Sequence, residues 1–406
     1  MPSTLPDGDP APADGRLPSA ALGGAAGRPL GIYLHVPFCR TRCGYCDFNT
    51  YTAEELGEGV SRASYVDSAI RELEFARAVL DSDDRQVSTV FVGGGTPTLL
   101  PAADLGRLLS AVRDLFGLAR GAEVTTESNP ESVDKRALQD LRAAGFTRVS
   151  FGMQSAREHV LAVLDRQHTP GRVDEAVRDA RRAGFDNVSV DLIYGTPGES
   201  DDDWRASVSA AIGTGADHVS AYSLIVEPGT RLAARVKRGE LPMPDDDVLA
   251  DRYVIADEML AAAGFDWYEV SNWAKSEHNE CRHNLGYWTG GDWWGIGPGA
   301  HSHVGGVRWW NVKHPKAYAE RVDSGCSPAY ARELLDDLAR HTEDVMLRVR
   351  LRDGLVLSAL TPDEQAAARQ ACDDGLLDRA EFDGGRTVLT LRGRLLADAV
   401  VRTILD

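Results

Sequence analysis

The chain has 406 residues, 43% of them hydrophobic and 26% charged, which suits one large packed body plus a small one and excludes a fibrous, collagen-like or wholly disordered protein. Lys and Arg number 44 against 62 Asp and Glu, a formal net charge of -18 that repels phosphate backbones and anionic lipid, so nucleic acid is not an expected partner. No run approaches the roughly 18 to 20 apolar residues of a membrane-spanning helix.

Residues 1–28 are rich in Ala, Pro and Gly and hold no basic segment leading into an apolar one, so they read as a disordered, flexible tail and not a secretory leader. Six short β-branched runs follow, at 31–36, 87–92, 122–127, 147–152, 187–193 and 217–224. Amphipathic stretches near 63–80, 102–118, 132–144, 171–184 and 199–214 supply the crossover helices that parallel strands require. The expected fold class is α/β, a partial (β/α)6 TIM-like barrel over 29–244. Polar and Gly-rich residues fall just after the strands, at Cys39 to Cys46, Gly93 to Thr98, Glu127 to Pro130, Gln154 and Asp191. The carboxyl edge of such a sheet is where ligands sit, so one mouth is expected to collect them.

Residues 245–328 differ in character. After a helix near 245–263 they carry seven of the eight tryptophans (Trp267, Trp273, Trp288, Trp293, Trp294, Trp309 and Trp310) among His and Gly. Such a stretch offers a surface for a planar ligand or an aromatic seam over the open edge of the sheet, and composition does not separate the two. Residues 329–406 show helical patterns at 331–350 and 362–373, a β-like VLTL run and a last helix near 394–404, a small winged-helix-like domain. With no basic field it reads as a packing or partner module.

Three of the six cysteines, Cys39, Cys43 and Cys46, crowd into eight residues of the loop leaving the first strand. A tight thiol cluster in a large chain without a leader indicates an inorganic centre in a reducing cytoplasm. Structural zinc takes four closed ligands, and no fourth Cys or His follows nearby; remote His35 or Cys281 would have to complete it. A [4Fe–4S] cluster on three thiolates leaves one iron open to a further ligand. Gly93 to Pro97 form a strand end without bulky side chains, where backbone can approach an ammonium or sulfonium group.

The segment YLHVPFCRTRCGYCDF resembles the signature of radical S-adenosylmethionine (SAM) enzymes, whose open iron chelates the amino and carboxylate groups of SAM. The resemblance implies that Gly94, Gly95 and Thr96 contact the methionine moiety and that Tyr33 and Tyr45 flank cluster and cofactor. Glu127, Gln154, Arg166 and Asp191 match the SAM-binding positions of the coproporphyrinogen dehydrogenase-like branch. There Arg166 would pair the carboxylate in a bidentate geometry that Lys does not reproduce, and Ile225 would line the adenine. The oxygen-independent oxidase of that branch carries an additional cysteine where this chain has Phe48, which counts against porphyrinogen decarboxylation and leaves the chain's standing as an enzyme open.

His283-Asn284-Leu285-Gly286-Tyr287-Trp288, with YEVSNWA before it and GIGPGAHS after it, resembles the hallmark of the HemW family of haem chaperones. That resemblance covers about 30–404. It implies a haem-binding protein with a [4Fe–4S] cluster and SAM that delivers haem to an acceptor protein. Imidazole is a common haem ligand and Tyr287 and Trp288 could pack on the macrocycle, so His283, Asn284, Tyr287 and Trp288 are the expected haem contacts, with His301, His303 and Cys281 behind them. The rival readings are oxidative decarboxylation of coproporphyrinogen III by a 5′-deoxyadenosyl radical and a zinc-stabilised interaction module.

Overall fold

The computed structural model describes residues 5–56, 61–167, 169 and 171–406. All six expected parallel strands form: β1 (Leu30–Val36), β2 (Val87–Gly94), β3 (Leu118–Ser128), β4 (Arg148–Gln154), β5 (Asn187–Tyr194) and β6 (His218–Ser223), side by side in chain order. Their β-branched residues are buried on both faces, as a parallel sheet covered by helices requires. The crossover helices are α1 (Arg62–Val79), α2 (Ala102–Phe116), α3 (Lys135–Ala144), α4 (Arg172–Ala183) and α5 (Asp201–Gly213). Local chemistry sets their ends. Ser61 with Ser64 and Ser200 with Asp203 form capping boxes, and Gly145 and Gly184 take the left-handed conformation that stops α3 and α4.

The aromatic-rich region extends this sheet at both edges. After α6 (Asp246–Ala262) come β7 (Asp266–Glu269) and β8 (Asn272–Ala274); β8 pairs antiparallel with β6, and β7 pairs antiparallel with β8 at the sheet's edge. A short helix, α7 (Arg282–Trp288), then leads to β9 (Asp292–Ile296), which pairs parallel with β1 and makes a seventh parallel strand. Beyond it β10 (His301–Val304), β11 (Val307–Asn311) and β12 (Ala329–Leu334) continue antiparallel. Trp273, Trp294, Trp309 and Trp310 are buried, so most of this region is a packed seam along the sheet.

The amino-terminal segment was expected to be disordered, but its described residues dock on the body. Asp9–Pro10 pairs with β12, Ala21 is buried, and Arg28 and Arg85 both bond the fully buried Asp292 carboxylate at 3.0 and 2.8 Å. The helix expected over 331–350 starts only at Asp337, because 329–334 completes the sheet. That helix, α8 (Asp337–Arg348), with α9 (Pro362–Asp373), α10 (Ala397–Leu405) and a two-stranded wing (Leu355–Val356 with Arg386–Thr387), encloses a separate core of Val345, Val349, Phe382 and Val400. The VLTL run is not a strand; Leu389 makes only an isolated bridge to Leu377. No helix among the described residues is long and apolar enough to cross a membrane.

Candidate functional site

The open barrel encloses a cavity of about 1710 Å³, reached from the carboxyl ends of the strands. Every residue assigned above to cluster or SAM lines it, as do His283, Asn284 and Tyr287; Trp288 does not. Cys39, Cys43 and Cys46 lie half-buried in the loop after β1, a loop held by backbone bonds from Cys39 to Tyr51 and from Thr96 to Phe38. Burial raises the Cys39 thiol and lifts Cys46 to about 12, so the thiolates that iron requires depend on the charge of the metal itself. Among the described residues no three His, Cys, Asp or Glu gather tightly enough to hold a single metal ion. Three sulfur donors from one loop, without a fourth, suit a cubane that presents each thiolate with a different iron better than a closed zinc site.

Beside the cysteines the β2 end is shaped by missing side chains. A Cβ on Gly95 would stand 2.4 Å from the Phe38 carbonyl and 3.1 Å from Cys39 Sγ, and Gly94 has φ +106°, so neither position accommodates a larger residue. The Gly94 N–H donates to Glu127 Oε2 at 3.1 Å. Burial, with the nearby Asp191 carboxyl behind it, lifts the Glu127 carboxyl to about 8 against the hydrogen bond from Gly94. Asp191 lies within β5, not after it, and enters the lumen from its wall. Burial raises it to about 6 against hydrogen bonds from Ser220 and Ser150. Among the described residues no ion pair engages either carboxyl, although Arg166 is near enough to act on Asp191, and two such buried carboxyls in one cavity suit a cationic ligand.

Gln154, at the end of β4, is one of two non-glycine residues with positive φ among the described residues, at +65°. Arg166, on the segment that follows, donates to the Gly152 carbonyl at 2.9 Å and approaches Cys43 Sγ at 3.6 Å. Its Nε is buried without a partner, a donor left for a ligand. Tyr45 packs with Ile193, Leu224 and Leu232. Tyr33 reaches His35 Nδ1 at 3.0 Å and lies beside the stacked rings of Phe91 and His283, 6.2 and 6.4 Å from their centroids.

Sequence reasoning did not single out Ser150, Ser220, Thr125 or Tyr222. Ser150 and Ser220 aim Asp191; the Thr125 hydroxyl is buried without a partner, and Tyr222 stands 46% exposed on the cavity wall. A serine inside a strand otherwise buried on both faces was the available signal.

The HNLGYW segment is α7, placed against the amino ends of the strands, opposite the cysteine mouth. His283 is 3% exposed. Its Nδ1 pairs with Thr89 Oγ1 and its Nε2 with Tyr287 Oη, both at 2.8 Å, while its backbone N–H donates to Glu123. Burial lowers it to about 3, so the ring is neutral and has no free nitrogen to offer iron as the chain stands. Asn284 bonds Glu269 at 2.6 Å. Next to it Glu123 and Arg148 form a buried ion pair at 3.1 Å, and Cys281 packs against Glu123. His303 is held by Gly291 and Gly306, and exposed His301 stacks on Trp310.

The Radical SAM superfamily profile matches residues 33–211. The chain is 59% identical over 379 residues to the "Heme chaperone HemW" of Mycobacterium tuberculosis, covering 93% of this chain and 95% of that one. It is 37% identical to the Escherichia coli protein of the same name, covering 72% and 76%. A "Radical S-adenosyl methionine domain-containing protein 1, mitochondrial" of Danio rerio is 31% identical, covering 97% and 89%. Among solved structures, the Escherichia coli coproporphyrinogen III oxidase superposes with a TM-score of 0.80 over 95% of this chain and 92% of that one, at 24% identity, which shows a common fold.

Proposed function

Because the chain belongs to the HemW haem-chaperone family, within the radical SAM superfamily, we propose that it holds haem and passes it to an acceptor protein. The observation that carries this reading is the 59% identity over nearly the whole of both chains. Oxidative decarboxylation of a porphyrinogen is the weaker reading, since the resemblance to the oxidase is one of fold and Phe48 stands where that enzyme has a further cysteine.

In this account Cys39, Cys43 and Cys46 hold a [4Fe–4S] cluster, and the site is built to take SAM beside it. When bound, the cluster supplies an open iron for the amino and carboxylate groups of the methionine part and a store for one electron. The residues of the chain do the rest. Gly94, Gly95 and Thr96 let backbone approach the methionine part, and Glu127 offers its carboxylate as acceptor to the amino N–H. Arg166 pairs the carboxylate through its planar fork. Gln154 and Asp191 offer acceptors to the remaining polar groups, with Ser150 and Ser220 orienting Asp191. Tyr45, in its apolar cluster, keeps water from one side of the pocket.

The test is transfer. Anaerobically reconstituted protein is loaded with haem and mixed with a haem-free b-type acceptor, and the acceptor's absorbance is followed. Appearance of holo-acceptor supports the reading. Failure to take up haem, or anaerobic conversion of coproporphyrinogen III to protoporphyrinogen, overturns it.

A further inference from the structure

The cavity runs from the cysteine loop down to the floor at His283. Sites for a single small ligand span roughly 300–1,000 Å³, against about 1710 Å³ for the whole of it, so it holds more than one small cofactor fills. Its rim is also unusual for a protein with a formal charge of -18. Phe48, in the cysteine loop, is 58% exposed, and Ile225, in the segment after β6, is 63% exposed; both line the cavity. Exposed apolar side chains that line a concave cavity suit a largely apolar ligand.

The cations at the mouth differ in their commitments. Arg42 bonds the Thr50 carbonyl and Glu55, Arg231 pairs with Asp165 at 3.2 Å, and Arg166 is tied to Gly152 and Cys43. Arg40 is exposed on the same lining, and no hydrogen bond or ion pair engages it among the described residues. An exposed ring and an uncommitted guanidinium on the same loop match a flat apolar ligand that carries carboxylates at its edge. The floor offers no such place, because both nitrogens of His283 are engaged and its ring is buried.

We propose that haem docks at this rim, its macrocycle against Phe48 and a propionate on Arg40, without His283. Ile225 then stands between the docked ring and the adenine side of the pocket. The inference rests on the haem-chaperone reading and assigns that reading its site.

The experiment titrates the anaerobically reconstituted full-length chain with haem, following the Soret band, for wild type, Phe48→Ser and Arg40→Glu. Wild type is also titrated with protoporphyrin IX and with its dimethyl ester. Losing the burial of a phenylalanine, about 1.5–3 kcal/mol, weakens haem binding roughly tenfold or more in Phe48→Ser, with the iron content unchanged. Arg40→Glu weakens haem binding by a similar factor. On wild type the ester binds more weakly than the free acid, a comparison that needs no variant. Wild-type haem affinity in both variants, or equal binding of ester and acid, overturns the proposed site. Absence of haem binding by wild type overturns the chaperone reading instead.

Discussion

His283 and Thr89 meet at the floor of the barrel, the imidazole Nδ1 2.8 Å from the threonine hydroxyl, while the other ring nitrogen is held by Tyr287. The ring also stacks on Phe91 with centroids 5.3 Å apart. The residue therefore closes the amino end of the barrel. His283→Ala removes two buried hydrogen bonds and the stacking, a loss of about 2–4 kcal/mol. Thermal unfolding is expected to show that loss, while the protein that remains folded keeps its haem affinity. Loss of haem binding without loss of stability would return the ligand role to His283.

Arg166 tests the carboxylate partner. Arg166→Lys keeps a positive charge but not the planar fork, so SAM affinity measured by calorimetry on the cluster-loaded protein falls about tenfold or more, with iron content unaltered. Unchanged affinity would remove Arg166 from the cofactor site.

Glu127 predicts a proton. Burial lifts its carboxyl to about 8, so at neutral pH it is mostly protonated in the free protein. The positive charge of a bound sulfonium ligand favours the charged form, so binding below about 8 releases a proton from Glu127 and SAM affinity rises as pH climbs toward that value. Calorimetry in buffers of different ionisation enthalpy reads the release directly. Glu127→Gln is expected to reduce it to the proton given up by the amino group that binds iron, and an unchanged release in that variant would contradict the assignment.

Glu72 makes a stability prediction. Its carboxyl, on α1, is buried and accepts from Tyr318, Asn311 and the Gly297 N–H, tying α1 to the loop between β9 and β10. Burial raises it from 4.5 to about 7. The folded chain therefore binds this proton more tightly than the unfolded chain, and its contribution is full below 4.5 and is lost as pH rises through about 7. The loss is about 3 kcal/mol. Unfolding temperatures of wild type should decline across that window relative to Glu72→Gln. Parallel curves would show that Glu72 is already charged in the folded state.

The parallel strands and their crossover helices were legible because runs such as VSTVFV and NVSVDLI are apolar on both faces and the helices carry a polar stripe. The cysteine spacing located the mouth for the same local reason. Asp191 was read as lying after its strand but sits inside β5, because side-chain direction in a barrel follows strand pairing. The tryptophans could not be placed from composition, since aromatic area serves a seam as well as a surface. Only the pairing of β9 with β1 reveals that Trp294 is covered. The docking of residues 5–28 rests on Arg28 meeting Asp292, 264 positions away, a contact that no local pattern announces.

The most direct test of the central claim concerns the corner of the cluster that Cys39, Cys43 and Cys46 leave open. Protein purified without oxygen is assayed for iron and acid-labile sulfide, then reduced, and its electron paramagnetic resonance spectrum is recorded with and without SAM. The account predicts about four iron and four sulfide per chain and a spectrum that changes when SAM is added. Iron-free protein carrying zinc, or a reduced cluster whose spectrum is indifferent to SAM, would contradict it.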